Sequence, residues 1–146
     1  MWRIPIVNLD ALFNDSYERV SNMGEDHNLF FDCFYEKFIG TSSEIADKFK
    51  NTDMKKQKLM LRSSILYIMQ LFSTHEIHEY MEEIAVKHDR KHMDIRPELY
   101  DVWIECLINT VSELDPYFDD RVELAWRMVF SPGITYMKFK YDEKRS

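Results

Sequence analysis

A chain of 146 residues is long enough to bury one hydrophobic core without disulfide or metal staples, and a formal charge of -7 argues against a nucleic-acid groove, which needs a basic face. Only three glycines and four prolines, 14% aromatic residues and little period-two alternation argue against β architectures and point to an all-α fold in one domain, residues 1–146.

The elements then follow in chain order. After an N-terminal extension of about eight residues, Leu9, Phe13, Tyr17 and Val20 recur at helical spacing behind Asn8, a capping residue, and predict a first helix ending near Gly24. A second helix is predicted from about Asp26 to Gly40, its inner face crowded with Phe30, Phe31, Phe34, Tyr35 and Phe38. The run TSSE, Thr41 to Glu44, reads as a capping box opening a short helix with Ile45 and Phe49. Thr52 and Asp53 cap a long helix from about Met54 to Phe72, with Gln57, Leu61, Ser64, Ile65 and Ile68 on one face.

A helix over roughly Ile77–Arg90 follows, and it carries the most informative feature of the chain. Ile77, Met81, Ile84 and His88 are spaced by four, three and four, which places an imidazole on an apolar face just before the corner made by Asp94 to Pro97. A buried imidazole needs a carbonyl, a carboxylate or a metal ion as partner. Pro97 starts a helix to about Leu114 with Tyr100, Trp103, Ile104, Leu107 and Val111 inward; the last helix runs from about Asp119 to Phe139, with a kink expected at Pro132 and Gly133 and a solvated tail over 141–146. Seven or so helices therefore make one compact unit.

The opening MWRIPIVNLDALF lacks a basic region followed by a long apolar run, and no stretch reaches membrane-spanning length, so the expected compartment is the cytoplasm with no membrane contact. Cys33 and Cys106 lie in apolar helical runs and read as reduced core residues. His27, His75 and His78 share no ligand geometry and read as surface.

With the helices placed, the chain resembles the globins, in particular the bacterial single-domain haemoglobins and globin-type gas-sensor domains. The resemblance rests on CFYEKFI around Tyr35, Phe49 in ADKFKNTDM, Gln57 and Leu61 in QKLML, His88 in IAVKH, RPELYDVW, and AWR around Trp126. The family has an aromatic corner residue about fourteen positions beyond the distal tyrosine, and Phe49 lies fourteen beyond Tyr35. Its proximal histidine lies somewhat under thirty positions beyond the apolar distal residue, and His88 lies twenty-seven beyond Leu61.

The resemblance implies a globin fold around one non-covalent haem b, with His88 as the iron ligand and Phe49, Leu61 and Tyr100 in the haem pocket. His92 is a rival ligand, set aside because it lies too close to the corner; it, Arg90 or Lys91 would instead meet the haem propionates. Tyr35 and Gln57 become the distal pair, a phenol O–H and an amide N–H aimed at a gas ligand that gains negative charge on binding. Each such charge-assisted hydrogen bond contributes roughly 1.5–3 kcal/mol, so dioxygen affinity is expected to be high. On their own, Tyr35, Phe49 and Leu61 read as core and Gln57 as a partly exposed helix residue.

The implied ligands are dioxygen, NO or CO. Nitric oxide dioxygenation would require an external reductase, and gas sensing a signalling partner. A homodimer is compatible with the apolar surface left over on two helices. A haem-free, globin-like signalling module ranks second, and an unrelated acidic helical bundle third.

Overall fold

The computed structural model describes residues 7–143, so the first six residues of the N-terminal extension and the last three of the tail lie outside the described residues. Seven helices and no strand are found among the described residues: α1 (Leu9–Ser21), α2 (Leu29–Ile39), α3 (Ser43–Phe49), α4 (Met54–Thr74), α5 (Glu79–Lys87), α6 (Pro97–Leu114) and α7 (Asp120–Tyr141). Among the described residues no helix is long and apolar enough to cross a membrane.

Side chains cap the helices where short polar residues precede apolar runs. Asn8, Ser42, Asp53 and Asp119 each accept a hydrogen bond from a backbone amide of the first turn that follows, which satisfies donors the helix itself cannot pair. Helix α7 packs against α1, α4, α5 and α6, and α2 packs against α6 and α1. The densest packing joins α1, α2, α6 and α7, where Trp126 is fully buried with Phe13 edge-on at 4.7 Å and Phe130 stacked at 5.8 Å.

A buried polar chain runs through this aromatic half. Trp126 Nε1 donates to Ser16 Oγ at 2.9 Å, Ser16 donates to Asp115 at 2.6 Å, and Arg19 donates to both carboxylate oxygens of Asp115 at 2.8 and 2.9 Å. Burial alone would raise the Asp115 pKa, but the Arg19 guanidinium, the Ser16 hydroxyl and the Tyr117 amide together outweigh it and hold the carboxyl below its ordinary range.

Several expected boundaries move, each for a local reason. Helix α2 starts at Leu29 rather than Asp26, because Gly24 at φ +91° and His27 at φ +57° turn the chain first. The capping box is incomplete: Ser42 caps α3, but Glu44 pairs with Arg96 instead of reaching back. Helix α5 is shorter than Ile77–Arg90. His75 takes φ +60°, His78 caps the helix by accepting from the Tyr80 amide, and Ile77 lies outside it, half exposed.

The expected solvated tail fails at its first residue, since α7 continues to Tyr141, whose side chain is buried with its hydroxyl on the Asp94 carboxylate. Helix α7 also passes through Pro132 unbroken, although the proline has no N–H to give the Met128 carbonyl. Cys106 is buried, Cys33 is partly buried, and neither is in a disulfide.

Truncating one member of the buried chain strands the others. Asp115→Ala is expected to cost about 3 kcal/mol in urea unfolding near neutral pH. Because the folded-state pKa of Asp115 is lowered, the wild-type advantage should be complete above about pH 4 and shrink as pH falls through that lowered pKa. A loss below about 1 kcal/mol, or a difference independent of pH, would contradict this role.

Candidate functional site

Away from the aromatic half the packing opens. Helix α4 buries only Leu61, Ile65 and Leu71 along its length, and α5 only Met81 and Ala85. Between them and α2, α3, α6 and α7 lies a mostly apolar cavity of about 330 Å³. Its solvent edge is marked by Met60 and Met93, 45% and 48% exposed.

His88 lines this cavity from the end of α5. Its Nδ1 lies 2.7 Å from the Ile84 carbonyl oxygen. A carbonyl only accepts, so Nδ1 carries the proton and Nε2 keeps a bare lone pair. Burial is the main influence on the ring and pushes its pKa below the ordinary histidine value; the Ile84 carbonyl opposes this and Lys87 adds to it. The neutral ring is thus fixed in one tautomer, and Nε2 makes no hydrogen bond among the described residues. His92 lies elsewhere: it does not line the cavity, is mostly exposed, and its Nδ1 meets Asp89 at 2.7 Å.

Tyr35 from α2 and Gln57 from α4 line the same cavity and are bonded to one another, Gln57 Nε2 donating to the Tyr35 hydroxyl oxygen at 3.1 Å. This bond uses an acceptor site of the phenol and leaves its O–H proton free to donate. Burial pushes the Tyr35 pKa up to about 12 against a lowering by Gln57, so the phenol keeps its proton at any ordinary pH. Phe49 packs edge-on to Tyr35 at 5.8 Å, and Leu61 lines the cavity beside them.

Tyr100, 9% exposed, also lines the cavity, and burial raises its pKa. Its hydroxyl has no hydrogen-bond partner among the described residues, yet none of their fully buried polar side-chain atoms lacks one. The Tyr100 hydroxyl therefore reaches the cavity space.

Two lysines at the cavity were not singled out by the sequence. Lys48 and Lys87 line it and pair with no carboxylate among the described residues, whereas Arg90 is bound to Asp142 at 2.5 Å and lies over the Tyr141 ring, and neither Arg90 nor Lys91 lines the cavity. Lys48 Nζ instead donates to the carbonyls of Met93 and Asp94 at 3.0 and 3.2 Å. Its position one residue before Phe49, like that of Lys87 before His88, was the available signal. Gly133, Met81 and Met137 also line the cavity, and the first is the glycine of the expected kink.

No family model matches the chain. A protein of Pseudomonas aeruginosa PAO1, described as structurally highly homologous to a human hemoglobin, has a crystal structure that matches this one with a TM-score of 0.85 at 34% sequence identity, over 93% of this chain and 100% of that one. The chain belongs to the globin family. This globin is also 29% identical over 86 residues to a flavohemoprotein of Candida albicans, a match spanning 57% of the globin chain and 21% of that relative. Seven helices, no strand among the described residues and this neighbour together establish the all-α globin fold.

Gly133 sits against the cavity with a Cβ position 3.5 Å from Ile68 and 3.7 Å from Met81, ordinary contact distances. Gly133→Ala is therefore expected to raise stability by about 0.5–1 kcal/mol in urea unfolding, by restricting the unfolded chain within a helix that already has α geometry. A loss of stability would show that the cavity floor cannot take a methyl group.

Proposed function

We propose that this globin binds one haem b in the cavity, with His88 Nε2 as the iron ligand, and reversibly binds dioxygen beside Tyr35 and Gln57. The observation that carries this reading is the state of His88: a neutral ring, its proton committed to the Ile84 carbonyl and its bare nitrogen in the same apolar cavity as an O–H and N–H pair. The donor set suits the group. An imidazole nitrogen matches iron, and apolar walls at Phe49 and Leu61 match the ring faces. Lys48 and Lys87 at the cavity match its two carboxylates.

Haem iron, when held there, supplies reversible coordination of a diatomic gas. The chain's own residues do the rest. The Ile84 carbonyl fixes the ring plane of His88 and makes Nε2 a stronger donor. Phe49, Leu61 and Tyr35 keep water from the gas side. Tyr35 keeps its proton and would hydrogen-bond through it to a gas held there, while Gln57 orients the phenol by bonding its oxygen and has a second N–H to offer.

Two donors favour a ligand that gains negative charge, so dioxygen should be held tightly relative to neutral carbon monoxide. The likeness to a flavohemoprotein favours a second reading, nitric oxide dioxygenation with electrons from a separate reductase.

Protein supplied with haem should show a strong Soret band that is retained in His92→Ala and lost or weakened in His88→Ala. Stopped-flow dioxygen release should accelerate on the order of ten-fold in Tyr35→Phe, and by a comparable or smaller factor in Gln57→Leu. Absence of a Soret band on adding haem to the folded protein would favour the haem-free signalling module. Release rates unchanged in both variants would remove the distal pair from the account.

A further inference from the structure

Two segments that border the cavity carry charge opposite to that of the chain. Residues 47–58 and 87–96 hold nine lysines and arginines against four aspartates and no glutamate, whereas the rest of the chain holds ten against twenty-two carboxylates. The segments meet in space through Lys48, whose Nζ donates to the Met93 and Asp94 carbonyls. Both contribute to the lining, the first through Thr52 and Gln57, the second through His88 and Met93.

Carboxylates outside the segments pair Lys58, Arg90 and Arg96, through Asp32, Asp142 and the pair Glu44 and Glu98, and the four aspartates within them are engaged locally. Asp47 pairs with Lys50, Asp53 accepts from the Lys55 and Lys56 amides, Asp89 holds His92, and Asp94 accepts from the Tyr141 hydroxyl. Lys55, Lys56 and Lys91 are exposed, and these three, like Lys48 and Lys87, lie in no salt bridge among the described residues. Met60 and Met93 supply exposed apolar surface at the same cavity. Unneutralised cations around an apolar centre fit the anatomy of a protein interface, and their sign selects an acidic partner. Nucleic acid fits less well, because aspartates are interspersed and the only aromatic residue in the two segments, Phe49, is largely packed against Tyr35 and Phe38 rather than offered to a base.

We infer that this collar docks an acidic electron-donor protein at the cavity edge, an inference that rests on the haem reading for its purpose. Long-range attraction of this kind accelerates encounter and falls with ionic strength. Lys55, Lys56 and Lys91 are the cations to change, since they stand outside the lining where Lys48 and Lys87 would face the haem carboxylates.

The test uses the full chain, its haem content read first from the Soret band, and an acidic two-iron, two-sulfur ferredoxin as the probe, with Kd measured at low and at physiological salt. The expected result is binding that weakens on the order of ten-fold with salt and about ten-fold again in the triple variant Lys55→Glu, Lys56→Glu, Lys91→Glu, whose Soret band is intact. Arg121→Glu, which changes a cation of α7 outside the collar, should leave Kd within about two-fold. No ferredoxin binding, equal weakening by Arg121→Glu, or tighter binding of a single-stranded oligonucleotide would overturn the inference. Loss of the Soret band in the triple variant would also overturn it, by assigning these lysines to haem retention. A wild type without a Soret band would end the haem reading alone, and ferredoxin binding would then decide for or against the collar separately.

Discussion

The contact between His88 Nδ1 and the Ile84 carbonyl, 2.7 Å long, is the constraint on which the functional account depends. A histidine whose outer nitrogen faced solvent would exchange tautomers and charge states near neutral pH. Here the end of α5 supplies the acceptor from its own last turn, the Ile84 carbonyl taking both the backbone N–H and the ring N–H of His88, so the fold's local geometry sets the ring's chemistry. The carbonyl by itself would favour the imidazolium, but burial penalises that charge more strongly and keeps the ring neutral. The outcome is a neutral ring with one nitrogen available to the cavity, and the proposed role of every other lining residue refers to that nitrogen.

The rest of the chain divides the labour. Aromatic stacking around Trp126 and the Asp115 chain tie α1 and α7 to the residues after α6, making a dense half that needs no ligand to be well packed. The half built from α4 and α5 is sparse, and the space it leaves is the cavity. Between them lies the corner after His88. Lys48 holds its carbonyls from α3, Arg90 reaches Asp142, and Tyr141 reaches Asp94, a non-glycine residue at φ +54°. The corner is thus fastened to α3 and to the end of α7, which keeps the end of α5 in place.

Much of this was legible in the sequence because it follows from periodicity and caps. Leu9 to Val20, the Asp53 cap before α4 and Pro97 at the start of α6 all express themselves within a few residues. Tyr35, Gln57, Phe49, Leu61, His88 and Tyr100 line one cavity, but it was the resemblance to globins that singled them out together; spacing alone reads most of them as core. What was not legible depends on distant partners. Glu44 looks like half of a capping box until Arg96, fifty-two positions away, takes its carboxylate. Tyr141 looks like tail until Asp94 and Arg90 close over it. His92, set aside in the sequence for its closeness to the corner, is held by Asp89, a contact that only the folded corner shows. Ile77 continues a helical pattern in sequence, but the left-handed His75 and the capping His78 move the helix start beyond it.

The claim that everything functional refers to His88 Nε2 is tested most directly by the iron–imidazole stretching band in resonance Raman spectra of the reduced, ligand-free protein, with and without ring-nitrogen-15 histidine. A band that shifts with the isotope, disappears in His88→Gly and returns when free imidazole is added is the predicted result. A band that persists in His88→Gly would contradict the account and assign the axial ligand to another histidine.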